Sequence, residues 1–236
     1  MLTAEEHIRY SRQLSLKEIG KTGQQKMKQA NVLVIGCGGL GSPALTYLAA
    51  AGIGHITIVD HDVVNLNNLH RQTLYATADV GKKKVLLAAD RLRNNNPNVQ
   101  ITSVETRFTD ENAGDLLKGK TAVLDCTDNY STRRLIGEQT ARHKIPLVFA
   151  SVLNHEAQLT VFNYKNGPCY NDLFPELPAD GIYQEADIGL LGVLPGMAGA
   201  MQANELIKLV TGYGEILSGK LLIFSILNNQ FNLFKI

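Results

Sequence analysis

Gly36-Cys37-Gly38-Gly39-Leu40-Gly41 follows the order G-x-G-x-x-G. Glycines at these spacings let a chain turn tightly and bring backbone N–H groups against a phosphate at a helix start. Asp60 closes the next apolar run, HITIVD, where a carboxylate can accept hydrogen bonds from ribose hydroxyls. Gly36, Gly38, Gly39, Gly41 and Asp60 together predict nucleotide binding; a glycine turn that serves packing alone is the plainer alternative. The pattern does not separate NAD from ATP.

Beyond Asp60 the chain reads HDVVNLNNLHRQ, residues 61–72. An NAD enzyme has no need of so many amides and a cation just past its ribose acid. Asn68 can orient phosphates and Arg71 can neutralise them; the alternative is a polar loop of self-capping asparagines. Lys82-Lys83-Lys84 opens a helical period, but a lysine triplet is ordinarily a solvated face, so residue type does not single out Lys84. In Leu124-Asp125-Cys126-Thr127-Asp128-Asn129, Asp128 suits Mg²⁺, which takes one or two carboxylates plus substrate phosphates. An Asp or Asn there also caps a helix from residue 130, and the two roles can coexist on neighbours. Cys126 has no histidine near it in the motif and reads as a small packed residue rather than a nucleophile. The six histidines show no ligand spacing.

Every one of these motifs ends an apolar run and opens a helical period. NVLVIG (31–36), HITIVD (55–60), NVQITSV (98–104), TAVLD (121–125) and IPLVFA (145–150) read as buried strands. Residues 4–18, carrying Arg9 and Arg12, suit a short helix, as do 40–51 and 82–93. Strand and helix alternate through residue 150, which predicts an α/β fold: a doubly wound, Rossmann-like sheet, parallel in its first half. After residue 150 the pattern changes. QLTVFNY (158–164) alternates, 197–212 is helical with Gly212 at its cap, and 220–227 with 229–236 form a closing strand pair around Asn228-Asn229. Antiparallel strands are thus added at the C-terminal end of one domain, residues 1–236, whose halves are 1–150 and 151–236. Residues 165–188, with Pro168, Pro175 and Pro178, lack a period and predict a long functional or mobile loop.

The composition narrows the classes further. An apolar fraction of 44% with 19% charged residues is that of a globular protein. Lys plus Arg number 23 against 22 Asp plus Glu, a net charge of +1, too balanced for a nucleic-acid binder that relies on bulk phosphate attraction. No apolar run is long enough for a membrane span and the N-terminus is not a secretory signal, so a cytoplasmic location is the expectation. Three widely spaced cysteines make neither a disulfide framework nor a complete metal cluster.

RYSRQ (9–13), VLVIGCGGLGSPALTYLAAAGIG (32–54), VDHDVVNLNNLHRQ (59–72), VGKKKV (80–85), LDCTDN (124–129) and GLLGVLPGMAGAMQANELIKLVTG (189–212) resemble the MoeB/ThiF/HesA family, bacterial relatives of ubiquitin-activating enzymes. The resemblance covers nearly the whole chain. It implies use of ATP and Mg²⁺ to adenylate the C-terminal Gly-Gly carboxylate of a ubiquitin-like sulfur carrier of the MoaD or ThiS kind, in molybdopterin or thiamin biosynthesis. It further implies that Gly39 backs the nucleotide, that Asp60 holds the ribose, and that Asn68, Arg71 and Lys84 contact the triphosphate. Asp128 would bind Mg²⁺ with Asn129 beside the nucleotide, and residues 151–236 would bind the carrier. Arg12 matches an arginine that, in family homodimers, reaches the partner subunit's ATP site. The competing readings are an NAD-dependent oxidoreductase and a nucleotide-binding module without turnover.

Two departures qualify the resemblance. Many members bind zinc through two CxxC pairs; Cys169-Tyr170-Asn171-Asp172 keeps one cysteine of the first pair and the second pair is missing, so no zinc is expected. That variant resembles rhodanese-fused members, and the chain is either cut before such a domain or a standalone relative. Where many members carry a cysteine, this chain has Glu185. A carboxylate forms no stable thioester or persulfide linkage, so sulfur is expected from a separate donor, a rhodanese or a cysteine desulfurase.

Overall fold

The computed structural model of the chain describes residues 1–176 and 189–236. Three short helices come first: α1 (Ala4–Arg9), α2 (Ser11–Leu14) and α3 (Gly20–Gln29). Then follow β1 (Asn31–Ile35), α4 (Gly41–Ala51), β2 (His55–Asp60), α5 (Lys84–Asn95), β3 (Gln100–Glu105), α6 (Asp110–Leu117), β4 (Ala122–Asp125), α7 (Tyr130–Arg142) and β5 (Leu147–Leu153). The second half adds β6 (Glu156–Phe162), α8 (Tyr170–Leu173), α9 (Val193–Thr211), β7 (Lys220–Ser225) and β8 (Gln230–Lys235).

The strands form one sheet in the order β3-β2-β1-β4-β5-β6-β7-β8. The first five pair in parallel and the last three antiparallel. The mixed sheet anticipated from the alternating pattern is the one found. Period-2 alternation splits β1 between two cores: Val32 and Val34 face α4, α5 and α9, while Leu33 and Ile35 join Phe108, Ile136 and Phe149 on the other side. Burial on both faces is why the parallel strands read as continuous apolar runs. The chain runs from β1 outward to β3, then returns to place β4 on the other flank of β1. Ligands of such sheets bind in the crevice at this switch point, outside the carboxyl ends of the strands.

Some boundaries differ from expectation. Residues 4–18 hold two helices rather than one, α1 starting from a Thr3–Glu6 capping box. The helix α3 went unanticipated because GKTGQQKMKQ is polar and buries only Gly23, Gln24 and Met27. The helix α9 begins at Val193, ahead of the expected 197; Pro195 lies in its first turn, where a missing N–H costs no intrahelical bond. Gly212 ends α9 in the left-handed conformation, as expected. Of residues 165–188, α8 is a short helical turn, and 177–188, including Pro178 and Glu185, lie outside the described residues.

An aromatic cluster fastens α8 to the sheet. Phe149, Phe162, Tyr170 and Phe174 pack in tilted and edge-on pairs with ring centroids 5.0–5.8 Å apart. Tyr170 fits over Gly137 of α7, where an added Cβ would lie 2.4 Å from the Tyr170 Cβ. Gly137→Ala should therefore destabilise the fold by about 1–3 kcal/mol of overpacking, outweighing the roughly 1 kcal/mol that alanine gains in helix propensity. Urea unfolding should show a lowered midpoint; an unchanged or raised midpoint would mean that α8 is not held there.

Candidate functional site

The glycine turn joins the end of β1 to the start of α4. Gly36 has φ of +91°, and a Cβ on it would lie 2.6 Å from the Cys126 carbonyl oxygen. A Cβ on Gly41 would lie 2.2 Å from the Gly36 carbonyl oxygen, so the helix can start against the strand end only without a side chain there. Gly38 and Gly39 are partly exposed and face Gln72 and Pro195 with Arg71, respectively.

Asp60 ties this turn to β2. Its Oδ2 accepts the Cys37 N–H at 2.9 Å and the Cys37 thiol at 3.2 Å, and its Oδ1 accepts the Asp62 N–H at 2.8 Å. Asp60, expected from the sequence to hold a ribose, holds the turn in the structure, with lone pairs left for further donors. Burial, with the Asp60 charge adding, pushes the Cys37 thiol far up; burial does the same to Cys126. Both are neutral packed thiols, as the motif suggested for Cys126.

The 61–72 loop contains the self-capping asparagines expected of a polar loop. Asn65 and Asn68 cap each other, through Asn65 N–H to Asn68 Oδ1 at 3.2 Å and Asn68 N–H to the Asn65 carbonyl at 3.0 Å. The loop nonetheless delivers Arg71 beside Gly39 and buries Gln72 beside Gly38, with the Gln72 Oε1 unpartnered. Arg71 Nη1 rests on the Asn67 carbonyl at 2.8 Å. A Cβ on Gly192 would lie 2.2 Å from the His70 carbonyl oxygen, so the start of α9 braces this loop.

Geometry also separates the lysines. Side chains of Lys82 and Lys83 are 59% and 41% exposed, paired with Asp79 and Glu105. Lys84 is 6% exposed, its Nζ 3.1 Å from Asp62 Oδ2. It is the first residue of α5, where the helix field disfavours a cation, so its burial there calls for anions. Asp60, His61 and Asp62 approach one another, but the Asp60 oxygens hold backbone N–H groups and Asp62 holds Lys84.

The loop after β4 completes the crevice. Asn129 caps α7, accepting the Thr132 N–H at 2.9 Å, while Asp128 is exposed and makes no hydrogen bond or ion pair among the described residues. Beneath them Asp125 Oδ1 accepts the Thr127 N–H at 2.9 Å and its hydroxyl at 2.7 Å, and Arg133 Nη2 donates to the Thr127 carbonyl at 2.9 Å. Burial holds the Asp125 carboxyl above its usual range, against the opposing Arg133 charge. Asp125 stood in the quoted motif without a role, because spacing does not reveal which of two nearby acids is buried.

Arg12 is not brought to this crevice by its own chain. It is exposed on α2, whose Gln13 donates to the Ala51 carbonyl at 3.1 Å, at the C-terminal end of α4. The 11 residues of α4 separate that end from the glycine turn, by about 16 Å of helix.

Against known proteins, the model of the ThiF family matches residues 10–236. "Adenylyltransferase and sulfurtransferase MOCS3" of Culex quinquefasciatus is 47% identical over 94% of this chain and 51% of its own length. The chain thus spans about half of that relative. "Sulfur carrier protein adenylyltransferase" of Thermus thermophilus is 41% identical over 97% of this chain and 87% of its own. Among solved structures, PaaA superposes with a TM-score of 0.85 at 25% identity, covering all of this chain and 75% of that one. Escherichia coli MccB with ATP gives 0.84 at 22% identity over 96% of this chain and 71% of that one, a likeness of fold.

Asp125 supplies a pH test of this loop. Its folded pKa lies above the usual 3.8, so the folded chain holds that proton more tightly than the unfolded one. Wild type should gain stability relative to Asp125→Asn as pH falls from neutral through the folded pKa, the gain ending below the unfolded value. Denaturant unfolding of both proteins across pH checks this; a difference constant with pH would contradict it.

Proposed function

The chain belongs to the ThiF family, and from that premise we propose that it adenylates the C-terminal carboxylate of a ubiquitin-like sulfur carrier at the expense of ATP. The observation that carries this reading is Lys84: a buried ammonium at a helix start, next to a glycine turn that Arg71 also reaches. Two cations converging on one glycine turn suit the charge of a triphosphate.

The reaction asks little covalent chemistry of the protein. The carrier's terminal carboxylate is ionised at neutral pH and needs no general base to attack the α-phosphorus. Charge then builds on the phosphate oxygens and the departing pyrophosphate, where Lys84, Arg71 and Asn68 stabilise it. The N–H groups of Gly38 and Gly39 support the nucleotide, and Asp60 accepts ribose hydroxyls through its free lone pairs. Asp128, exposed and without a partner among the described residues, has the donor chemistry to hold Mg²⁺. Bound there, the ion neutralises phosphate charge.

Arg12 serves a second copy's site in this reading. It sits at the far end of α4 from its own glycine turn, flanked by Ile8 and Leu16, which are 78% and 50% exposed, as an apolar contact surface would be. No zinc is part of the proposal: of the family's two CxxC pairs the given sequence keeps only Cys169. With Glu185 in the family's cysteine position, the carrier leaves as acyl-adenylate for a separate rhodanese or cysteine desulfurase, on the way to molybdopterin or thiamin. No helix among the described residues is long and apolar enough to cross a membrane, and a cytoplasmic enzyme fits this use of ATP.

Carrier-dependent ATP–pyrophosphate exchange tests the proposal. Asp128→Ala should lower exchange by about a hundredfold or more; retained exchange would reduce Asp128 to a neighbour of the helix cap. Mixing inactive Arg12→Ala with inactive Asp128→Ala should restore one intact site per mixed dimer, about a quarter of wild-type activity. Full activity from a monomer in sedimentation would rule out the shared site.

A further inference from the structure

Tyr75 lies beyond the 61–72 loop, is 7% exposed, and has had no role so far. Its ring packs in the core shared by α4, α5 and α9. Its hydroxyl donates to the Cys37 carbonyl at 2.8 Å, and the Lys84 carbonyl is 3.4 Å from the same oxygen. The single hydroxyl proton therefore goes to the glycine turn, with the carbonyl of the first residue of α5 beside it at contact distance. The Cys37 N–H is already held by Asp60. With its carbonyl also held, the peptide units on both sides of Cys37 are fixed, and the second sets the direction of the Gly38 N–H. Ser42 Oγ is a longer contact to the same carbonyl, at 3.4 Å. Burial and the Cys37 neighbour push the phenol far above its usual range, so the group remains a donor throughout the working pH range.

We propose that Tyr75 is a positioning residue for the nucleotide: its hydroxyl holds the Cys37 carbonyl, and with it the direction of the Gly38 N–H, on the phosphate side of the glycine turn. This inference rests on the nucleotide reading above. It concerns affinity for ATP and not the carrier, because the Tyr75 hydroxyl contacts only backbone carbonyls of the nucleotide side. Tyr75→Phe removes the hydroxyl and keeps the ring, which isolates the bond from the packing.

Calorimetric titration of the full chain with a non-hydrolysable ATP analogue and Mg²⁺ reads the cradle independently of turnover. Y75F should bind about three- to tenfold more weakly than wild type, the loss expected for one buried hydrogen bond. In pyrophosphate exchange, KM for ATP should rise by a similar factor while kcat and the KM for the carrier stay within about twofold. Ile136→Val, a cavity in the opposite core, controls for general destabilisation and should leave ATP affinity unchanged. If Y75F does not fold, Ser42→Ala, which loosens the same carbonyl, should show the same selective loss at smaller size. Wild-type affinity in the variant, or an equal loss in Ile136→Val, would overturn the role of Tyr75 and leave the nucleotide reading intact. A wild-type chain that binds no ATP analogue would overturn both.

Discussion

The bond from the Cys37 N–H to the Asp60 carboxylate decides where the rest of the site can be. It joins the ends of two neighbouring parallel strands, so the glycine turn cannot drift from β2. Gly41 then brings α4 directly against the Gly36 carbonyl, and Gly36 does the same for the loop after β4. Three loops converge at the β1/β4 switch point, with glycine or a backbone-bonded carboxylate at each close approach. Glycine at Gly36 and Gly41 lets backbone meet backbone at the mouth of the crevice, where a side chain would not fit.

The cations are positioned by different means. Lys84 is buried at the start of α5 and paired there with Asp62. Arg71 is braced by a loop that α9 packs against, which links it to a helix from the antiparallel half of the chain. Arg12 is held nowhere near either, because Gln13 ties its helix to the opposite end of α4. Arg12 is exposed there, and Ile8 and Leu16, four residues to either side of it in the sequence, are exposed as well.

Much of this was legible in the sequence. Buried parallel strands reveal themselves as unbroken apolar runs, and glycines at strand ends have few purposes, so the α/β sheet and the turn at Gly36–Gly41 could be read directly. Helix α3 could not, because it packs a polar segment through Gly23, Gln24 and Met27 and shows no apolar stripe. The lysine triplet defeated residue typing for a different reason. Lys82, Lys83 and Lys84 are chemically identical, and only the start of α5 turns the third inward. Asp125 and Tyr75 were invisible as contributors because both act on backbone groups, and a sequence records side chains but not which peptide bonds they touch.

Intact-mass analysis of the product addresses the central claim directly. The chain is incubated with Mg-ATP and a ubiquitin-like carrier ending in Gly-Gly, then examined without reductant. The account predicts a carrier heavier by one adenylyl group, pyrophosphate in solution, and no covalent bond between carrier and enzyme. A carrier of unchanged mass, or a reducible adduct at Cys37, Cys126 or Cys169, would contradict it.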